Sequence, residues 1–171
     1  MTEAASSGRD LRALAARLAA RSEIRDIRMF RSSFELMGIP LDDDQLNYTL
    51  EVSNDSIERN SANTAFVVRI TYRLRLERSP HDDSEEEKSV KIAKVKFTLA
   101  GFFQLVMREG DELPTEEEFE AYSVTTAAFA LYPFAREYSY DVTHRMRLPP
   151  LTLGVFTQPI TRQEALGGAK Q

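Results

Sequence analysis

The stretch Phe66-Val67-Val68-Arg69-Ile70-Thr71-Tyr72-Arg73-Leu74-Arg75-Leu76-Glu77 decides the fold. Its apolar residues take every second position. Phe66, Val68, Ile70, Tyr72, Leu74 and Leu76 therefore share one face, and Val67, Arg69, Thr71, Arg73, Arg75 and Glu77 share the other. Period-two alternation marks a strand with one buried and one wet face. At ~3.3 Å per residue this strand runs for about 36 Å.

Reading outward, Pro80 and His81-Asp82-Asp83-Ser84-Glu85-Glu86-Glu87 spell a charged loop. A further strand is expected from Val90 to Leu99, with Val95, Phe97 and Leu99 in phase and a slip near Ala93. Upstream, Leu46, Tyr48, Leu50 and Val52 alternate with Asn47, Thr49 and Glu51, and Asn54 to Asn63 reads as a polar connection. Before the loop at Pro40 and Asp42-Asp43-Asp44, the segment Ile24 to Leu36 carries Ile27 and Met29, then Phe34 and Leu36. Its phase slips around Phe30, as a β-bulge would cause. Four strands, each half polar, predict an antiparallel sheet with one face buried.

Helical spacing flanks the strands. Leu11, Leu14, Ala15 and Leu18 form an apolar stripe after Asp10, a suitable N-cap. Past the sheet, Thr115 and Glu118 spell a capping box, followed by Phe119, Tyr122 and Thr126. Pro133 is expected at the first position of a new helix bearing Phe134, Tyr138, Val142 and Met146 on one side, ended by Leu148-Pro149-Pro150. The expected class is α+β: a four-stranded antiparallel sheet with helices covering one face, plus a short N-terminal amphipathic helix. Residues 1–9 are expected to be disordered, 10–157 to form one domain, and 158–171 to be a flexible tail.

The 171 residues carry 22 Lys plus Arg against 27 Asp plus Glu, a net charge of −5. That balance argues against nucleic acid as partner. With no Cys, there are no disulfides, thiolate metal sites or Cys nucleophiles. No apolar run approaches the ~20 residues that span a bilayer, and the first residues do not spell a secretory signal, so a cytoplasmic address and no membrane insertion are expected. His81 and His144 lie in different expected elements, and no nucleophile elbow, Walker or dinucleotide fingerprint is present. The acidic runs Asp42–Asp44, Asp82–Glu87 and Glu116–Glu118 read as solvation and helix-start charge. No enzyme, cofactor or metal is expected.

Two features remain. Phe102, Phe103, Leu105, Val106 and Met107, then Phe119, Tyr122, Phe129, Tyr132, Phe134, Tyr138 and Tyr140, supply more apolar surface than a one-sided sheet readily buries. Such a surplus points to oligomerisation or a hydrophobic groove. By phase, the wet face presents Arg28, Arg69, Arg73, Arg75, Lys94 and Lys96 against Asp26, Glu51 and Glu77. The sharper reading is docking of an acidic partner at Arg69, Arg73, Arg75, Lys94 and Lys96; the plainer is a solvated mixed face.

The segment Leu131-Tyr132-Pro133-Phe134-Ala135-Arg136-Glu137, followed by Leu148-Pro149-Pro150-Leu151-Thr152-Leu153, resembles the SecB export-chaperone family. The order of four strands, aromatic crossover, helix and extended stretch also matches, over about residues 24–155. The N-terminal helix and the Leu-Pro-Pro-Leu-Thr-Leu form are closest to actinobacterial SecB-like proteins, some of them linked to toxin–antitoxin pairs.

The resemblance implies an ATP-independent holdase for unfolded polypeptides, preproteins or an antitoxin, built as a homotetrameric dimer of dimers. First strands would pair edge to edge, and helices would pack between dimers. By position, the client groove falls to Phe102, Phe103, Leu105, Val106, Phe119, Tyr122 and Phe129. Arg136 and Glu137 are expected to position the helix. Only 18 residues follow Leu153, too few for the full C-terminal helix and acidic tail of the export chaperones. The basic wet face argues against docking of SecA, which in those chaperones uses acidic residues. The alternatives are a binding protein for a small apolar ligand and a non-catalytic adaptor with its aromatics buried between subunits.

Overall fold

In the computed structural model of the chain, four antiparallel strands hydrogen-bond in the order β1-β4-β3-β2. They are β1 Ser22–Leu36, β2 Leu46–Arg59, β3 Ala65–Arg78 and β4 Val90–Leu105. The structure describes residues 3–41, 44–78 and 89–154, with side chains from residue 11 onward. The expected loop at 80–87 with His81, the residues Asp42 and Asp43, and the tail at 158–171 lie outside the described residues.

The alternation in β3 is realised. Phe66, Val68, Ile70, Tyr72, Leu74 and Leu76 are all nearly inaccessible to water. In β1 the pairing to β4 skips a residue between Met29 and Arg31, which puts a bulge at Phe30 as the phase slip required. A second skip, between Ile24 and Asp26, was not foreseen. The slip expected near Ala93 falls at Ile92, where β3 steps from Leu76 to Glu77.

Two strands outrun their expected ends. The polar stretch from Asn54 is not a connection: β2 continues to Arg59, past a register shift at Asp55. Its polar side chains are used locally. Asp55 accepts from Ser53 and Thr71, and the Asn54 amide donates to Ser123 Oγ at 2.5 Å. The turn after it is closed by Asn60, whose Oδ1 accepts from Thr64 N and Ala65 N, while Asn63 takes a positive φ of 51°. β4 likewise runs on to Leu105, so the segment from Phe102 is the end of a central strand and not a crossover.

The helices cover the middle of the sheet. α1 is Glu3–Ala19, so Asp10 lies inside the helix instead of capping it. Helix formers such as Glu3, Ala4 and Ala5 suit that extension. α1 packs against α2, Glu116–Tyr122, through Ala15 and Leu18, both buried. The capping box forms as spelled: Glu118 N donates to Thr115 Oγ1 at 3.2 Å and Thr115 N to Glu118 Oε2 at 3.0 Å.

A π-helical turn at Ser123–Ala127 joins α2 directly to α3, Ala128–Arg145. Pro133 is therefore inside a helix and does not start one. Burial of Ala127, Ala128, Leu131 and Ala135 around it outweighs the roughly 3 kcal/mol that an internal proline costs. The buried face is also rotated from expectation. Leu131, Ala135, Ser139 and Val142 face the sheet, while Phe134 is exposed and Tyr138 and Met146 are half-buried.

At Gly101 the helix comes so close that a Cβ would stand 2.8 Å from the Phe103 ring and 3.2 Å from Leu131. α3 ends with Arg147 at a φ of 57°, and Leu148 N donates back to Thr143 O. The extended segment beyond is held by Leu151 N to Thr143 Oγ1 and by Tyr132 Oη donating to Gly154 O.

Candidate functional site

Four of the seven expected groove residues lie in the core. Phe103, Leu105, Phe119 and Tyr122 are each under 5% exposed. Phe66 stacks on Phe103 with centroids 5.1 Å apart, and the rings of Phe119 and Tyr122 meet it edge-on. Strand parity separates Phe102 from Phe103. Phe102 points to the opposite, wet face, where the Arg28 guanidinium lies 5.0 Å from its ring centroid. Of the expected set only Val106 and Phe129 stand open to solvent, each 46% exposed.

The accessible apolar surface lies mainly elsewhere. On β1, the side chains in phase with the core are Ile24, Ile27, Met29, Phe34 and Leu36. All but the half-buried Ile27 are exposed, and Met37, Ile39 and Leu41 continue the surface past the strand. The alternation of these residues was legible in the sequence; that the helices would leave them in water was not. The helices reach β1 at Ser22, which donates to Tyr122 Oη, and at Ser32, through a hydroxyl contact with Tyr138.

The outer side of α3 forms a second apolar surface. Phe129, Pro133 and Tyr140 line an open concavity of about 630 Å³ with Tyr132, Arg136, Glu137 and Thr152. Arg136 and Glu137 are exposed on it, so they do not fix the helix against the sheet as expected.

The wet face divides into paired and unpaired cations. Arg69 makes a forked pair with Glu58, at 2.5 and 3.0 Å, under the Phe30 ring, whose centroid is 4.2 Å from the guanidinium. Arg75 pairs with Glu51 at 2.9 Å and Arg28 with Asp26 at 2.5 Å. Arg73 donates to Ser53 Oγ, while Lys94 and Lys96 are exposed on the same face. Between them Thr71 and Thr98 are buried and share a hydrogen bond of 2.6 Å.

Burial acts on three tyrosine hydroxyls. Burial pushes Tyr72 up, helped by neighbouring Tyr132. Burial also raises Tyr122, partly offset by the hydrogen bond from Ser22, and raises Tyr132, which lies near Tyr48 and Arg136. Among the described residues no three His, Cys, Asp or Glu side chains converge to hold a metal ion. His144 is exposed on the last turn of α3, and no described helix is long and apolar enough to cross a membrane.

No protein-family model matches the chain. It is 42% identical over 157 residues to the SecB-like chaperone Rv1957 of Mycobacterium tuberculosis strain H37Rv, covering 88% of this chain and 86% of that protein. The SecB-like chaperone MT2006 of strain CDC 1551 is 41% identical over the same length and coverage. Among solved structures, the Rv1957 chaperone in complex with a ChAD peptide from the HigA1 antitoxin superposes with a TM-score of 0.73 at 40% identity. That match covers 86% of this chain and 99% of the other.

Proposed function

The chain belongs to the SecB-like chaperone family, and from that premise we propose that it is an ATP-independent holdase whose client is an unfolded polypeptide of the antitoxin type. The observation that carries this reading is the amount of large apolar side chain left in water. Phe34 is 56% exposed, Ile39 83%, Leu41 68% and Phe134 45%, on the two surfaces described above. A free monomer has no use for such patches.

The two surfaces divide the work. The free edge of β1, with Ile24, Met29, Phe34 and Leu36 beside it, pairs with a second copy, which removes an exposed strand edge from solution. Two such dimers form the tetramer. The concavity on α3, with Phe129, Pro133 and Tyr140, is the surface for the client. It replaces the groove set expected from position, four members of which support the core. Each client side chain buried there contributes about 25 cal/mol per Å² of apolar area, with little demand on sequence. The bound antitoxin peptide of the relative supports a polypeptide client over a small ligand. Delivery to SecA is not part of the proposal, because Arg73, Lys94 and Lys96 stand on the sheet face where acidic residues would be needed.

The test is calorimetric titration with a denaturant-diluted, slow-folding polypeptide and the same polypeptide folded, alongside the ChAD peptide of the HigA1 antitoxin. Binding of the unfolded chain or the peptide alone, with a negative heat-capacity change, is expected. Binding of the folded form equally well, or of neither polypeptide nor peptide, defeats the holdase reading.

A further inference from the structure

We infer that the polar face of the sheet is a second docking surface, for an acidic polypeptide segment of a partner protein, centred on Arg73, Lys94 and Lys96 with Arg31 beside them. It goes beyond client binding, which uses the opposite side of the sheet. The sequence alone offered Arg69, Arg73, Arg75, Lys94 and Lys96 for docking as equals, and the structure sorts them. Arg69 and Arg75 already hold Glu58 and Glu51. Arg73, Lys94, Lys96 and Arg31 have no carboxylate partner among the described residues.

Strand register makes the arrangement costly to the fold. Arg73 stands directly opposite Lys96, and Arg75 directly opposite Lys94, on hydrogen-bonded neighbours. Like charges in facing positions destabilise a sheet. Arg31 faces Thr98, the next residue along that face from Lys96. Against these five cations the same face sets four carboxylates, of which Asp55 accepts from Ser53 and Thr71 and Glu77 accepts from Ser89. Glu35 lies opposite Lys94, and Glu51, opposite Arg73, is engaged with Arg75. A chain of net charge −5 thus concentrates positive charge on the two central strands, where it weakens pairing. Departures from local consistency of this kind are characteristic of functional surfaces.

The geometry favours an acidic polypeptide over nucleic acid. Bases stack on open aromatic faces, and this side offers one, the outer face of Phe30 at its margin, while Phe102 is half-buried under Arg28 and the cations themselves stand among Ser, Thr and carboxylate side chains. Lysines on adjacent sheet positions, about 5–7 Å apart, match carboxylates carried on an extended strand.

The experiment measures fluorescence anisotropy of a labelled Glu-Asp repeat peptide titrated with the full chain, beside a neutral Ser-Thr repeat peptide and a labelled single-stranded oligonucleotide. The acidic peptide is expected to bind saturably and to weaken as salt rises. K94E/K96E is expected to weaken it by roughly tenfold, and R12E, on exposed α1, to leave it unchanged. The double reversal sets carboxylates opposite Arg75 and Arg73 and one like charge opposite Glu35, and a circular dichroism melt of the variant checks that it folds. Its binding of the unfolded client is also expected to be unchanged, which separates this surface from the holdase one. Equal peptide binding by K94E/K96E, absence of saturable peptide binding at low salt, or tighter binding of the oligonucleotide than of the peptide overturns the inference.

Discussion

One row of the sheet reads Phe34, Val95, Leu74 across β1, β4 and β3, and all three side chains point to the same face. Val95 and Leu74 are 1% exposed; Phe34 is 56% exposed. The next row repeats the contrast, with Leu36 in water beside the buried Ala93 and Leu76. Alternation assigns a side chain to a face, and only what lies above that face decides whether it is dry. α3 crosses over β3 and β4, pressed close at Gly101, and leaves much of the β1 margin in water.

The contrast can be broken most forcefully from its covered half. Phe97 is fully buried between Tyr72 and Tyr138. Phe97→Ala is expected to lower stability by about 3–5 kcal/mol in urea unfolding. Gly101→Ala drives a methyl into the Phe103 ring and Leu131, and a loss of about 1–3 kcal/mol is expected in the same measurement. The opposite sign is expected at the end of α3. Arg147→Gly relieves a positive φ and should raise the unfolding midpoint, by an amount equivalent to about 1 kcal/mol.

The uncovered half should respond differently. Phe34→Ser is expected to change stability by under about 0.5 kcal/mol at concentrations too dilute for association. It should nonetheless weaken self-association in sedimentation velocity. A large stability loss in the dilute chain would mean that β1 is covered from within.

The smallest effect at neutral pH is expected at Tyr72. Burial raises its folded-state value above that of the unfolded chain, so its contribution is complete below pH 10 and is lost as pH rises toward the folded-state value. Urea midpoints should therefore fall at strongly alkaline pH, and Tyr72→Phe should flatten that fall without altering the midpoint at pH 7.

The candidate site was legible to a different degree in each part. The motif around Pro133 identified the family from side chains that line or border the α3 concavity, yet the groove residues carried over by position were mostly core. Phe103, Phe119 and Tyr122 pack with Phe66 because β4 runs on past Leu99, and nothing in the spelling distinguishes an aromatic strand end from an aromatic crossover. The polar half of β2 was equally hidden, since an edge strand beside water needs few apolar residues.

The sequence by itself determined the faces of β3, the bulge at Phe30, the capping box at Thr115 and the stripe of α1, because each follows from contacts within a strand or a helical turn. Strand order, the path of one continuous helix through Pro133, and the pairing of Arg69 and Arg75 but not of Lys94 and Lys96 were decided by the tertiary structure. These depend on which distant residues are brought face to face, and burial summed over many such contacts outweighs the preference of any single residue.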